Sequence, residues 1–280
     1  MGAIASFAVL QAALTNGVRS DMFMFQNGNI GLVLGTWLSS YARYMPGALA
    51  PTLPETLNSS SVGAVIAVPL TSSKQLWLCE AEFAGYSAAT PGTKFCAMLY
   101  DRLSHMGGLN STLATEQTTN FPTAPLTRYT TGEGVIPFLE VYGVMGTINS
   151  TATIKYTNQD GVAGKISQPV SIVTNINNSP DALTAFMLAD GDTGCRSVES
   201  FTLAAGSVSN VNIGITLMKK ICHLPVDTGS YAERQGYRQM LFHGGITEIL
   251  PGAFLQLVWY PSSSGTGNWN LSGRVGIVEA

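Results

Sequence analysis

The sequence predicts an all-β fold: an antiparallel β-sandwich or jelly roll, preceded by an N-terminal arm containing a short helix. Three observations carry that expectation. Beyond residue 60 the chain is one short run after another of β-branched and aromatic residues, nearly every run ends in a Gly, Pro, Asn or Ser cluster, and no helical period intervenes. Residues 1–60 read as an arm or extended lead-in and residues 61–280 as the sandwich body. A connection near residues 115–128, holding Pro122 and Pro125, would divide that body into two packed sub-domains.

In the arm, Ile4, Phe7, Leu10 and Leu14 recur at helical spacing, and Asn16-Gly17 supplies a stop. Pro46, Pro51 and Pro54 then punctuate a mixed apolar stretch. The expected strands follow at Val62–Val68, Gln75–Phe83, Lys94–Tyr100, Val135–Val144 and Thr151–Thr157. They continue at Leu183–Leu188, Ser197–Leu203, Val211–Lys219, Tyr237–Phe242, Ala253–Tyr260 and Gly273–Val278. One hairpin is specified closely. Thr151–Thr157 alternates, Asn158-Gln159-Asp160-Gly161 tolerates turn dihedrals, and Val162–Ile166 returns along the first strand. No repeat of fixed period is present, which argues against a solenoid or propeller.

Composition narrows the function. Only 11% of the 280 residues are charged, against about 25% in ordinary soluble domains, while 45% are hydrophobic. Ser, Thr, Asn, Gln and Gly must therefore cover the surface. A neutral hydrogen-bonding exterior over a large apolar interior suits a protein packed against copies of itself or against a larger shell. The formal net charge of -3 leaves no basic footprint for direct nucleic-acid binding. The long uncharged stretch Met22–Ala42 is broken by Gln26, Asn27, Asn29 and three glycines, so no membrane span is expected there. Cys79, Cys96, Cys195 and Cys222 form no C-x-x-C pair and read as buried free thiols.

Signals for catalysis or cofactors are sparse, and no catalytic, metal-binding or cofactor-binding residue is assigned. Gly85-Tyr-Ser-Ala-Ala89 departs from the nucleophile elbow at its last position. His105, His223 and His243 lack metal-ligand spacing and read as strand-end or loop residues. Asp190-Gly-Asp192-Thr-Gly194 places alternating carboxylates as a calcium loop would, but Phe201 stands where a bidentate Glu belongs, so a turn is expected. Asn58, Asn110, Asn149 and Asn270 match the glycosylation acceptor pattern formally, as chance allows in a chain rich in Ser, Thr and Asn.

Two groups of residues stand out. Asp101, Arg102, Arg128, Glu140, Arg196 and Glu199 lie beside or within apolar strands, where an unpaired charge is costly to desolvate. They are candidates for ion pairs, within one subunit or between subunits. Trp259, Tyr260 and Trp269 flank the polar run Pro261–Gly267. Trp259 reads as core, whereas Trp269 is the candidate for stacking on a sugar ring in an alternative, glycan-binding reading.

Six segments, taken in order, resemble blocks in virion structural proteins of tailed bacteriophages. They are Tyr100–Leu109, Leu126–Val135, Glu140–Tyr142, Ile154–Gly164, Gly191–Ser200 and the closing block Gly244–Ala253. Cys195 stands where that pattern has a small aliphatic residue, a conservative departure. The resemblance implies a non-enzymatic capsid decoration or cement protein on the head surface, forming a homotrimer, with a dimer as the alternative. Its implied partners are further copies of itself and the major capsid protein or other virion proteins. A neck or tail protein with a receptor- or glycan-binding role is the alternative.

Overall fold

The computed structural model describes residues 18–27, 37–41, 50–87, 94–122, 124–174, 180–229, 233–237, 247–261 and 269–279. All regular elements among these are strands, and the helix expected at residues 4–14 lies outside them. The first nine strands are β1 (Val18–Asn27), β2 (Trp37–Ser39), β3 (Glu55–Thr56), β4 (Leu76–Ser87), β5 (Lys94–Asn110), β6 (Gln117–Thr118), β7 (Val135–Val141), β8 (Asn149–Asn158) and β9 (Lys165–Ile166). There follow β10 (Val170–Val173), β11 (Ala182–Ala185), β12 (Cys195–Leu203), β13 (Asn212–Gly229), β14 (Glu233–Tyr237), β15 (Thr247–Ile249), β16 (Leu255–Pro261) and β17 (Trp269–Glu279).

Six of these strands close on themselves. β5 pairs β13, β13 pairs β7, β7 pairs β11, β11 pairs β2, β2 pairs β16, and β16 returns to β5, every step antiparallel. The expected sandwich or jelly roll is therefore a barrel with a sheet on each side. Closure depends on the three residues of β2: Leu38 is partnered by Ala182 on one edge and by Trp259 on the other. It depends also on β5 and β13, whose mutual register shifts at three places. Each irregularity bends the pair, as bulges do at barrel corners.

The barrel is filled rather than open. Met98 and Tyr100 of β5, Phe138 of β7, Leu183 of β11, Met218 of β13 and Val258 of β16 form one buried cluster, with Trp37 of β2 packed against it. Side chains from all six strands thus meet inside, alternating with residues that face outward. Tyr100 meets Phe138 edge-on at 5.7 Å between ring centroids, a favoured aromatic geometry.

Each outer face of the barrel is covered. On one side Leu99, Leu255 and Leu257 pack against Leu78 and Phe83 of β4 and Val275 of β17. On the other, Leu139, Ile213 and Ile215 pack against Ile154, Ile172 and Phe201 of the second sheet. That sheet has the order β10-β8-β12-β6, with β9 on β8. Strict burial of every second residue in β8 shows one of its faces on the core and the other turned outward.

Segments of residues 1–60 join these layers: β1 pairs β17, β2 closes the barrel, and β3 pairs β5. The strand expected at Val62–Val68 is instead a run of turns and bends. Gly63 has φ of 103°, and Val65 N–H donates to the Leu255 carbonyl, so the run buries Val65, Ile66 and Val68 without forming a ladder. The hairpin after β8 forms at the expected place. Asn158 Oδ1 accepts from Asp160 N and Val162 N, and Gly161 takes φ of 79°.

Candidate functional site

The charged residues of the barrel converge through a bulge. Met218 of β13 is opposite Arg102, Leu217 is opposite Ser104, and Thr216 is opposite His105, so β5 carries one extra residue, Leu103, in that step. Arg102 and His105, three apart, therefore face the same side, which plain alternation forbids. Leu103 turns outward into the core shared with the second sheet.

Inside, Arg102 and Glu140 make a two-pronged ion pair with both side chains fully buried. Arg102 Nη2 donates to Glu140 Oε2 at 2.7 Å and Nη1 to Oε1 at 3.2 Å. Nη1 also donates to Gln256 Oε1 at 3.1 Å, and Nε to His105 Nδ1 at 3.2 Å. The guanidinium carbon stands 3.8 Å from the Tyr41 ring centroid. Glu140 Oε2 accepts further from Thr216 Oγ1 at 2.7 Å and Tyr142 OH at 2.9 Å. Gln256 Nε2 donates to Ser39 Oγ. This polar layer draws on five of the six barrel strands and continues the apolar layer of Phe138 and Val258.

Its protonation states follow from the geometry. Burial pushes the Glu140 carboxyl up, but the Arg102 charge and the hydrogen bonds from Arg102, Ser39 and Thr216 outweigh it and hold the group at about 2. Burial, then the Arg102 charge, push His105 down to about 3 against a weaker pull from Glu140, leaving it neutral at neutral pH. Because a guanidinium only donates, His105 Nδ1 is the acceptor and Nε2 bears the proton, facing Glu55 Oε2 at 3.7 Å.

Asp101, the neighbour of Arg102 along β5, faces the opposite side. Arg128 Nη2 and Nε grip its two carboxylate oxygens at 2.7 and 2.9 Å. Phe254 N–H donates to Asp101 Oδ1, and Arg128 Nη1 donates to the Leu57 carbonyl at 2.9 Å. This second buried pair ties the loop before β7 to β5 and to the segment after β3.

Arg196 and Glu199 are not paired with opposite charges in this way. Arg196 Nε donates to the carbonyls of Thr131 and Gln159, at 3.2 and 3.1 Å, and Nη2 donates to Gln159 O at 2.6 Å. Glu199 Oε1 accepts from Thr157 Oγ1 and Gly164 N. Around them, three of the sequence blocks noted above meet in one loop apex. Gly134 N donates to Thr193 O, Gln159 Oε1 accepts from Thr193 N and Gly194 N, and Thr193 Oγ1 donates to Glu133 Oε2. A Cβ on Gly194 would overlap the Gly132 carbonyl, so the apex needs glycine there. Asp192 in this turn accepts from Tyr156 OH and from Asn158 Nδ2.

The remaining candidates separate. Trp259 is buried in the core between barrel and β4. Trp269 opens β17 opposite Ser87, and its side chain lies outside the described residues. His105 is interior rather than at a strand end or in a loop, His223 is exposed on β13, and His243 lies outside the described residues. All four cysteines are free, two of them buried and two half-buried. Among the described residues, no group of three or more His, Cys, Asp or Glu is placed to hold a metal ion.

No protein-family model matches the chain, and no curated protein matches it in sequence. Solved structures to which it is similar include particles of infectious bursal disease virus. Its viral particle aligns at 8% identity over 95% of this chain and 78% of that one, with a TM-score of 0.21. The VP2 subviral particle aligns at 10% identity over 95% and 81%, with a TM-score of 0.19, and the virus-derived T=1 particles at 10% over 94% and 78%, also 0.19.

Proposed function

We propose that the chain is a virion structural protein of a tailed bacteriophage, a head decoration or cement protein assembling as a homotrimer on the capsid surface. The observation that carries this reading is where the scarce charge goes. Asp101, Arg102, Arg128 and Glu140 are consumed in buried pairs within the chain, while the outward face of β8 presents Thr151, Thr153 and Thr157, and its one charge, Lys155, pairs with Glu116 at 3.3 Å. Ser171 of β10 and Thr202 of β12 extend that face, opposite Thr151 and Thr153. Neutral hydroxyls cost far less to desolvate than charges, so such a face suits packing against other subunits. A contact of standard size, about 1,600 Å² in total, would stabilise a shell without covalent chemistry. The six ordered sequence blocks support the phage assignment, and three of them build the loop apex around Gly194.

The partners in this reading are further copies of the chain and the major capsid protein, and no residue is given a catalytic role. Quantitative peptide counting on purified particles tests it. Tens to hundreds of copies per particle are expected for a decoration protein. A handful would move the chain to the neck or tail, and its absence from particles would overturn the reading.

A further inference from the structure

We propose that His105 is an acid-responsive latch: protonation ends its acceptor bond from Arg102 and releases Tyr41 and β3 from the polar end of the barrel. The geometry sets up a conflict that only acid reveals. His105 Nδ1 lies 3.2 Å from Arg102 Nε and 3.0 Å from Nη2, so its lone pair faces two donors of a permanent cation. A proton on Nδ1 removes that acceptor and sets a second cation against the first, in a site where the His105 side chain is only 1% exposed.

The groups facing His105 from each neighbouring element decide the outcome. From β5 there is Arg102, and Asp101 is turned to the opposite side, against Arg128. From β13 comes Thr216, which is neutral and already donates to Glu140. From β7 comes Glu140, with Tyr142 bound to it, and both prongs of that carboxylate are engaged by Arg102. After β2 comes the Tyr41 ring, edge-on at 5.1 Å. From β3 comes Glu55, the one uncommitted anion among these. It stands 3.7 Å from Nε2 and is 52% exposed, so water screens it. Arg102 is closer and fully buried, and its repulsion wins. This agrees with the depressed basicity of the imidazole, which burial and Arg102 both cause.

Relief comes from letting water reach the ring, and the smallest strand beside it is β3. β3 is a two-residue strand on the same edge of β5 as β16, just past the end of β16, held to β5 at His105 and Ser104 and continued by the Leu57 N–H bond to the Leu103 carbonyl. Tyr41 covers both His105 and Arg102 and packs with Leu57 and Phe254. Opening this corner exposes His105 while leaving the second sheet intact.

The linkage has a definite sign. The folded value lies below the ordinary 6.5, so the latch is fully closed above about pH 6.5 and loosens as pH falls from there toward the folded value. Each proton taken up on opening raises the open population by about tenfold per pH unit. Hydrogen exchange on the full chain, corrected for the intrinsic pH dependence, reads this directly. Between pH 7 and 5 the Leu57 amide should lose about 25-fold in protection, while Ser167 N, which donates to the Ile154 carbonyl in the second sheet, holds steady. In His105→Gln, whose amide oxygen can still accept from Arg102, the Leu57 slope should flatten. In the wild type, the His105 imidazole should remain neutral in the closed state through the same range. Equal Leu57 protection at both pH values, an unchanged slope in His105→Gln, or a His105 signal titrating at about 6.5 without loss of protection would each overturn the proposal.

Discussion

Arg102 and Arg196 begin from similar sequence surroundings, each within a strand of small and apolar residues, and end in opposite electrostatic regimes. Arg102 is sealed inside a closed barrel and meets Glu140, Gln256 and His105, whereas half-buried Arg196 at the loop apex binds only backbone carbonyls. The difference is closure. Where six strands wrap around a cation, water cannot solvate it and a counter-charge is required; at the apex, carbonyl dipoles and nearby solvent suffice.

Arg102→Met leaves Glu140 buried without its cation and should cost about 3–5 kcal/mol, read as a lowered midpoint in denaturant unfolding. Adding Glu140→Leu should return most of that loss, because removing both charges also removes the desolvation problem. A double variant as unstable as the single one would show that the pair holds the barrel in some further way.

Acid provides a second test without mutation. Glu140 sits at about 2 in the fold against an ordinary 4.5. Its contribution is therefore complete above pH 4.5 and is lost as the pH falls toward 2, a loss of about 3 kcal/mol at about 1.4 kcal/mol per unit. Unfolding midpoints measured from pH 5 downward should show this limb in the wild type and lose it in the Arg102→Met/Glu140→Leu variant. At the apex the expected effect is smallest. Arg196→Gln removes hydrogen bonds to carbonyls that remain near water and should cost roughly 0.5–1.5 kcal/mol, visible in the same unfolding assay.

The sequence made local structure legible and left closure hidden. β8 could be read because a half-buried strand writes its burial as strict alternation, and its turn because Asn158 and Gly161 have special backbone uses. Val62–Val68 misled because a buried coil segment carries the same apolar run as a strand, while its backbone bonds go elsewhere. The three residues of β2 carry no local mark of joining β11 to β16, since that pairing depends on residues more than 140 positions away. Asp101 and Arg102 could be seen to need partners, and alternation separates their faces, but which partner each takes is a property of the assembled barrel. His105 was hidden further, because one inserted residue, Leu103, overturns the alternation that would face it away from Arg102. Gln256 and Thr216 did leave a signal: each is a polar residue in an apolar strand interior, which marks a buried hydrogen-bonding site.

This chain closes Asp101, Arg102, Arg128 and Glu140 into buried pairs and, in the function proposed above, associates through a face rich in neutral hydroxyls. Light scattering on the soluble protein, from about 0.05 M to about 1 M salt, tests it most directly, since the Debye length shrinks from over 10 Å to about 3 Å across that range. A closed oligomer, a trimer in the reading favoured here, should keep the same mass throughout. A monomer at every salt concentration, or an oligomer that dissolves as salt rises, would contradict the account.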